Sequence, residues 1–180
     1  MNSIENMKSR RSIRKFKDEK VSHEVIEEIV EIARFSPSWK NTQITRYHLI
    51  ENEELRNKIA ESCVMGFTYN TKTLLKAPAL MVLSYVAKRS GFERDGSYTT
   101  SKGDAWEMFD VGVAAQTFAL AACEKGVGTC MMGIFDEQQV AEAIGLSEKE
   151  RVGVLIALGY PDEEPEAPRR KEVADLLSIH

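Results

Sequence analysis

The sequence predicts an α+β sandwich, in which helices and strands pack in layers around one core. Its 180 residues are enough for one domain, and a domain of this size can bury roughly 70% of the surface that its unfolded chain exposes. Helical and strand patterns interleave irregularly, which favours an α+β sandwich over a regularly wound parallel sheet. There are no internal repeats. We therefore expect residues 1–180 to form one domain.

The first half of the chain predicts two helices and two strands. Ser22 can cap a helix whose apolar residues recur on one face, and Pro37 stops that helix because proline disfavours helical geometry in the residue before it. Residues 45–51 form a strand candidate. Asn52 can cap a further helix, and the apolar run that begins at Ala79 predicts a buried strand.

A long polar segment separates the two halves. Residues 88–103 are rich in glycine and serine and show neither the helical nor the strand period. Loops of this length are uncommon unless they are lids or disordered. We therefore treat residues 88–103 as a candidate lid, with Phe92 and Tyr98 as candidate contacts for a substrate.

The second half predicts a helix with apolar residues on nearly every side. Residues 104–126 are rich in alanine, and a helix of this kind must be buried all round, which in so small a chain indicates a subunit interface. A strand-like segment follows at 127–135. Asp136 and Gln139 fit a capping box, Gly145 ends the helix that follows, and residues 151–160 predict another strand.

Residues 160–180 read as an extended arm and not as a core element. The arm begins with three prolines and four acids, which favour an extended chain. A basic cluster follows, formed by Arg169, Arg170 and Lys171.

Composition limits the partners and the compartment. The net charge is -4, with 24 Lys and Arg against 28 Asp and Glu, so the overall field does not favour polyanions and any anion site must be local. Three cysteines without CxxC spacing and the lack of a signal-peptide core favour the cytoplasm. The longest apolar runs are far shorter than the roughly 20 residues of a membrane helix, so no membrane association is expected.

Several common kinds of site are excluded. The histidines and cysteines lack the short paired spacings of zinc ligands, so no metal site is predicted. The run GVGTCM at 126–131 has methionine where a dinucleotide fingerprint needs its third glycine, and it follows a helix instead of a strand. Neither a GxSxG elbow nor a P-loop sequence is present. Cys130 lies in an apolar run, which favours an inert buried thiol.

The run RRSIRKF at residues 10–16 concentrates positive charge. A phosphate monoester carries nearly two negative charges, and arginine meets it with a planar fork of donors, so Arg10, Arg14 and the Ser12 hydroxyl suit such a group. In an extended segment these side chains share one side and Ile13 points inward. A solvated basic loop and a nucleic-acid arm are the alternatives, and the acidic total argues against the second.

Taken together, the motifs resemble the FMN-dependent nitroreductase family. They occur in the family's order and spacing and cover nearly the whole chain, as RRSIRKF, ARFSPSWKNTQ, GVGTCMMGIF and VLIALGYP. The resemblance implies a three-layer α/β/α sandwich with a central mixed, mostly antiparallel sheet. It also implies an intertwined homodimer that holds two FMN molecules at its interface, each contacted by both subunits.

The resemblance implies roles for three groups of residues. The first basic motif would hold the FMN phosphate and ribityl chain, and the basic tail would add a second phosphate clamp. The loop after Pro37 would cover the flavin ring of the neighbouring subunit, although Ile44 and Thr45 stand where relatives often have proline and tryptophan. A third stretch would approach flavin N5 through its backbone. The residues are Arg10, Arg11, Ser12 and Arg14; Arg169, Arg170 and Lys171; Pro37, Ser38, Trp39 and Asn41; and Met131, Met132 and Gly133.

The activity implied is NAD(P)H-dependent reduction of nitroaromatics, quinones or related acceptors by a ping-pong mechanism. FMN carries the redox chemistry, so no catalytic side chain is predicted. Arg14 or Lys40 would stabilise the reduced flavin near N1. Two alternatives remain open, namely an enzyme of the same fold that fragments flavin or removes halogen from tyrosines, and a flavin-binding protein without turnover.

Overall fold

A four-stranded antiparallel sheet forms the centre of the computed structural model, which describes residues 2–180. Its order is β1-β2-β4-β3, and each neighbouring pair is antiparallel. The strands are β1 (Thr45–Ile50), β2 (Ala79–Val86), β3 (Gly128–Met132) and β4 (Glu150–Gly159).

The mixed sheet that the resemblance implies is present only in a reduced form. Among the described residues, parallel pairing is confined to one bridge, between Ser12 and Thr129. The basic segment touches β3 there over too short a distance to add a strand. The sheet proper is therefore antiparallel, and the α+β class is confirmed.

Six α-helices and three short irregular helices surround the sheet in residues 2–180. A π-helix, Ile59–Cys63, continues directly from the third α-helix, and two 3-10 turns lie at Trp39–Asn41 and Val173–Asp175. The α-helices are α1 (Ser3–Ser9), α2 (His23–Ala33), α3 (Glu53–Lys58), α4 (Thr68–Lys76), α5 (Ala105–Glu124) and α6 (Glu137–Ile144).

Apolar side chains on the two faces of the sheet produce the layers. Along β2, Leu80 and Val82 join the cluster formed with α4, α6 and the π-helix, while Met81 and Leu83 join the cluster formed with α2 and α5. This alternation follows from the two-residue period of a strand. Burying both faces explains why β2 reads as a continuous apolar run.

The predicted caps are confirmed, with two differences of detail. Ser22 and Asn52 accept backbone N–H groups at the starts of α2 and α3. Helix α2 ends at Ala33, earlier than its proline predicts. At α6, Asp136 accepts from the Gln139 backbone at 3.0 Å, but the Gln139 side chain returns to the Asp136 carboxylate instead of the backbone that a capping box requires.

Helix α5 is buried where it packs against the sheet and α2, and part of its surface is uncovered. Phe118, Ala119 and Ala122 are fully buried against the sheet, whereas Met108 and Phe109 are 48% and 58% exposed. The side that a single chain leaves uncovered is the one that a partner could cover. Among the helices of residues 2–180, none combines the length and apolar character needed to cross a membrane.

Candidate functional site

The basic segment lies between β3 and the beginning of the tail. The Ile13 backbone donates to the Thr129 carbonyl at 2.9 Å, and the Lys17 backbone donates to the Tyr160 carbonyl at 2.9 Å. Ile13 is buried at 7% exposure, as its alternation predicts. A Cβ added at Gly128 would lie 2.8 Å from the Ile13 side chain, so glycine on β3 permits this close approach.

The first basic motif and the tail line one cleft of about 300 Å³. Arg10, Arg11, Ser12 and Arg14 form one wall, and Arg170 joins them from the tail. Neither Arg169 nor Lys171 lines this cleft. Arginines separated by more than 150 residues in the sequence therefore line one cleft, together with Glu166, and the four positive charges suit a dianion.

An acidic side chain of the tail holds the backbone of the basic segment. The Glu163 carboxylate accepts the backbone N–H groups of Arg14 at 2.6 Å and Lys15 at 3.1 Å. It also lines a second cavity of about 390 Å³, which shares Arg10 and Arg11 with the cleft. The sequence analysis did not single out Glu163. The signal that points to it is charge complementarity, because the tail carries four acidic residues and the segment at 10–16 is basic.

The end of β3 and the residue that follows it, Gly133, offer an open backbone. Met131 is 38% exposed, while the Met132 side chain is buried, so Met132 can contact a ligand only through its backbone. A Cβ added at Gly133 would meet no atom within 4 Å. Asn70 of α4, which the sequence did not single out, supports this stretch through a 3.1 Å hydrogen bond from Nδ2 to the Ile134 carbonyl.

The loop at 37–43 lies at a different cavity. Pro37 and Ser38 line a space of about 250 Å³ together with Asp110, and the basic motif does not reach it. Trp39 packs on Trp106 with ring centroids 4.5 Å apart. Within one chain, the loop and the arginine cleft are therefore separate surfaces.

Unusual backbone geometry characterises this loop. Lys40, Asn41 and Gln43 have φ values of 43°, 56° and 50°, a region that residues other than glycine rarely adopt. The Gln43 backbone donates to the Ser38 hydroxyl at 2.9 Å, and the Trp39 backbone donates to Asp110. The shape of the loop at 37–43 thus depends on backbone hydrogen bonds to the side chains of Ser38 and Asp110.

The polar segment 88–103 forms a closed loop against this site. A Cβ added at Gly91 would clash with the Gly103 carbonyl oxygen, so the backbone closes on itself between these two glycines. Phe92 and Tyr98 pack with centroids 4.9 Å apart. The neighbouring Thr99 side chain, followed by the Lys40 ammonium at 3.0 Å, lowers the pKa of Glu93.

The sequence model of the nitroreductase family matches residues 7–160. The chain belongs to the nitroreductase family.

Relatives agree with this membership over nearly the whole chain. A Bacillus subtilis strain 168 protein, provisionally named an NAD(P)H nitroreductase, is 27% identical over 94% of this chain and 89% of its own. An iodotyrosine deiodinase of Thermotoga neapolitana is 26% identical over 92% of each. The solved structure of an FMN-dependent nitroreductase from Clostridium difficile R20291 superposes with a TM-score of 0.73, at 26% identity, over 96% of this chain and 94% of that one.

In this nitroreductase-family protein the predicted residues fall into three surfaces. The first basic motif shares its cleft with Arg170. Pro37 and Ser38 line the loop cavity, and Trp39 and Asn41 belong to the adjoining 3-10 turn. The third surface is formed by residues 131–133 at the end of β3, and Asn70 supports the adjacent residue Ile134.

Two cysteines of this nitroreductase-family chain are poor nucleophile candidates. Cys63 and Cys130 are buried, and that burial raises the pKa of each thiol. The charge of Arg14 acts in the opposite direction on Cys130 but is the smaller cause. Within residues 2–180, histidine, cysteine and carboxylate side chains form no group of three that could hold a metal ion.

Proposed function

We propose that the protein is an FMN-dependent oxidoreductase that uses NAD(P)H to reduce nitroaromatics, quinones or related small acceptors. The observation that carries this proposal is the cleft at which Arg10, Arg11 and Arg14 meet Arg170. A phosphate monoester matches that donor set in charge and in geometry, because each guanidinium presents a planar fork and Ser12 adds a hydroxyl. The residues present therefore fit an FMN phosphate.

Family membership supports the remainder of the cofactor. FMN, when bound, supplies the two-electron chemistry, and the chain supplies binding and orientation. The open backbone at Gly133 leaves room for a flat ring beside β3. The names of the Bacillus subtilis and Clostridium difficile relatives support NAD(P)H and FMN respectively. Donor and acceptor would bind in turn at one site, which gives ping-pong kinetics.

The proposal includes a homodimer in which the loop at 37–43 covers the ring held by the neighbouring subunit. The loop and the arginine cleft line separate cavities in one chain, which supports a site built from two chains. The uncovered side of α5, with Met108 and Phe109, and the exposed α1 residues Ile4 and Met7 are candidate contacts. We also propose a cytoplasmic location, supported by three free cysteines.

We assign segment 88–103 as the lid on the acceptor side. The close approach of Gly91 and Gly103 within the segment allows residues 92–102 to be removed without stretching the backbone. Steady-state kinetics of that deletion should show a raised KM for aromatic acceptors. An unchanged KM for every acceptor would disprove the assignment.

Reductive dehalogenation is the second candidate, because the deiodinase relative is as similar to this chain as the nitroreductases are. A panel that includes nitroaromatics, quinones and iodotyrosine separates the two activities. Turnover of iodotyrosine alone would favour the second candidate.

The test of the main proposal begins with the absorbance spectrum of the purified protein. We expect a yellow protein whose flavin bleaches when NADH or NADPH is added without oxygen and recovers when a nitroaromatic or a quinone follows. A colourless protein that ignores added FMN would overturn the proposal. Bound flavin that neither nicotinamide bleaches would indicate a binding protein without turnover.

A further inference from the structure

One buried carboxylate, that of Asp110 in α5, joins the loop at 37–43 to the segment at 88–103. Asp110 is 2% exposed. The Trp39 backbone N–H donates to its two carboxylate oxygens at 3.0 and 3.1 Å, and the Ser90 hydroxyl donates to Oδ2 at 2.5 Å. The Asp110 carboxylate therefore accepts hydrogen bonds from uncharged donors in two different loops and links these loops to α5.

Thr42 adds a second contact between the loop at 37–43 and Ser90. The hydroxyls of Thr42 and Ser90 are 2.7 Å apart, and Ser90 is fully buried. Ser90 has a single hydroxyl proton, which it gives to Asp110, so Thr42 can donate to Ser90 at the shorter distance, and its hydroxyl also lies 3.5 Å from Asp110 Oδ2. The chain of donors runs from Thr42 through Ser90 to Asp110 and therefore fixes the loop at 37–43 at two points.

These contacts lie where the backbone is least favourable. Lys40 and Asn41, with positive φ, lie between the anchored residues Trp39 and Thr42. Strained conformations of this kind persist only where surrounding contacts hold them. The packing of Trp39 on Trp106 adds an apolar contact on the same side of the loop.

We infer that Asp110 is a positioning residue, which holds the loop at 37–43 in the shape that covers the flavin ring of the neighbouring subunit. Contact with the flavin rests on the proposed function, whereas the shaping of the loop rests on the hydrogen bonds alone. Asp110 itself is buried beneath the loop and acts through Trp39 and Ser90.

The first experiment measures loop shape without cofactor. The chain has two tryptophans, and both belong to this unit, with centroids 4.5 Å apart, so their exciton signal in circular dichroism reports the loop directly. Asp110→Asn places an amide donor against a donor, so we expect this signal to be lost in apoprotein. With FMN bound, kcat/KM for the acceptor should fall by about 10- to 100-fold, the scale of a small misplacement at an active site.

Glu107→Gln is the matched control. Glu107 is a carboxylate of the same helix, 3% exposed, and accepts the Arg89 backbone at 3.2 Å. It makes no hydrogen bond to the loop at 37–43 among the described contacts, so we expect the tryptophan signal to stay at its wild-type value. Any change in KM for the acceptor would report its hydrogen bond to Arg89 of segment 88–103. If Asp110→Asn fails to fold, Ser90→Ala and Thr42→Val remove the far end of the chain of donors and should each weaken the signal.

The second experiment tests whether the loop at 37–43 contributes to the FMN site of its own subunit or to that of the neighbouring subunit. A mixed dimer of Asp110→Asn with the double variant Arg10→Ala and Arg14→Ala contains one site with both an intact cleft and an intact loop. Random mixing of equal amounts should therefore restore about a quarter of wild-type activity from two inactive preparations. No recovery in proven mixed dimers would overturn the inference that the loop serves the neighbour.

The outcomes separate this inference from the proposed function. Wild-type signal and kinetics in Asp110→Asn would overturn the inference and leave the proposed function standing. A wild-type protein without flavin would overturn the proposed function, and the apoprotein signal would then decide the shaping role alone. A wild-type tryptophan signal in both Ser90→Ala and Thr42→Val would also contradict the inference.

Discussion

At the scale of single residues, alternation along the basic segment separates anchoring from binding. Ile13 is buried and its backbone bonds to Thr129, so the segment is fixed to the sheet by its apolar residue. Arg10, Ser12 and Arg14, which alternate with Ile13, line the cleft together with Arg11. Arginine side chains held in this way lose less freedom when they bind, which favours tight retention of an anion.

Replacing Arg10 and Arg14 with alanine should weaken FMN retention. Each lost charge-assisted hydrogen bond costs about 1.5–3 kcal/mol, so the dissociation constant should rise by at least tenfold in each single variant. Fluorescence titration of apoprotein with FMN measures this change. Lys15→Ala removes the same charge from an exposed position outside the cleft and serves as the control. Equal affinity in all variants would refute the phosphate assignment.

The tail offers a matched pair of its own. Arg170 lines the cleft and Arg169 does not, although the two are adjacent. We therefore expect Arg170→Ala to raise the FMN dissociation constant and Arg169→Ala to leave it nearly unchanged in the same titration. The reverse order would show that the tail adopts another register when FMN binds.

The three thiols should differ in reactivity. Burial raises the pKa of Cys63 and Cys130, so less thiolate is present at neutral pH, whereas Cys123 is only half-buried. Iodoacetamide at pH 7.5 should alkylate Cys123 first and the other two only after unfolding. Peptide mass spectrometry over a time course measures the order, and early labelling of Cys130 would contradict its inert assignment.

At the scale of elements, the sequence predicts those whose signals are local and complete. Helix α2 and strands β2 and β4 follow from periodicity and apolar runs, and their caps and ends agree within a few residues. Helix α4 was missed because its N-cap, Phe67, offers no side-chain acceptor. Helix α1 was missed despite a local signal, the capping box between Asn2 and Glu5, because it is only 7 residues long.

In the candidate site too, residues with a local sequence signal could be predicted and residues without one could not. The arginine cluster could be predicted because its charges are contiguous in sequence. Asp110 could not, because its partners Trp39 and Ser90 are 71 and 20 residues away and its role exists only after folding. The positive φ values at Lys40, Asn41 and Gln43 were likewise hidden, since no glycine marks them.

Strand β3 couples the sheet to the cleft through Gly128. An alanine there would place its Cβ 2.8 Å from the Ile13 side chain, so the basic segment must move away. We expect Gly128→Ala to lower the free energy of unfolding by about 1–3 kcal/mol and to weaken FMN binding. Urea denaturation and FMN titration measure the two effects. Gly96→Ala changes a glycine with open space around it and φ 84°, so it should affect stability but not FMN binding.

At the scale of the whole molecule, the uncovered side of α5 predicts self-association. Phe109 is 58% exposed, and its replacement by glutamate would bury a charge in any interface there. We expect Phe109→Glu to raise the dimer dissociation constant roughly 30-fold or more, equivalent to ~2 kcal/mol. Sedimentation equilibrium measures this constant, with Ile32→Glu on α2 as an exposed control. A dimer of unchanged affinity would place the interface elsewhere.

The bond between Arg14 and Glu163 spans 149 residues, and this separation has a consequence for biosynthesis. At about 5–20 residues per second, ribosomes make the two partners roughly 7 to 30 s apart. During that interval the basic segment lacks the Glu163 carboxylate that accepts its backbone N–H groups, and Arg170 is not yet present to complete the cleft. We therefore expect the holoprotein to form only after translation has passed Arg170, so that a ribosome-bound chain stalled before residue 160 binds FMN far more weakly than the released protein.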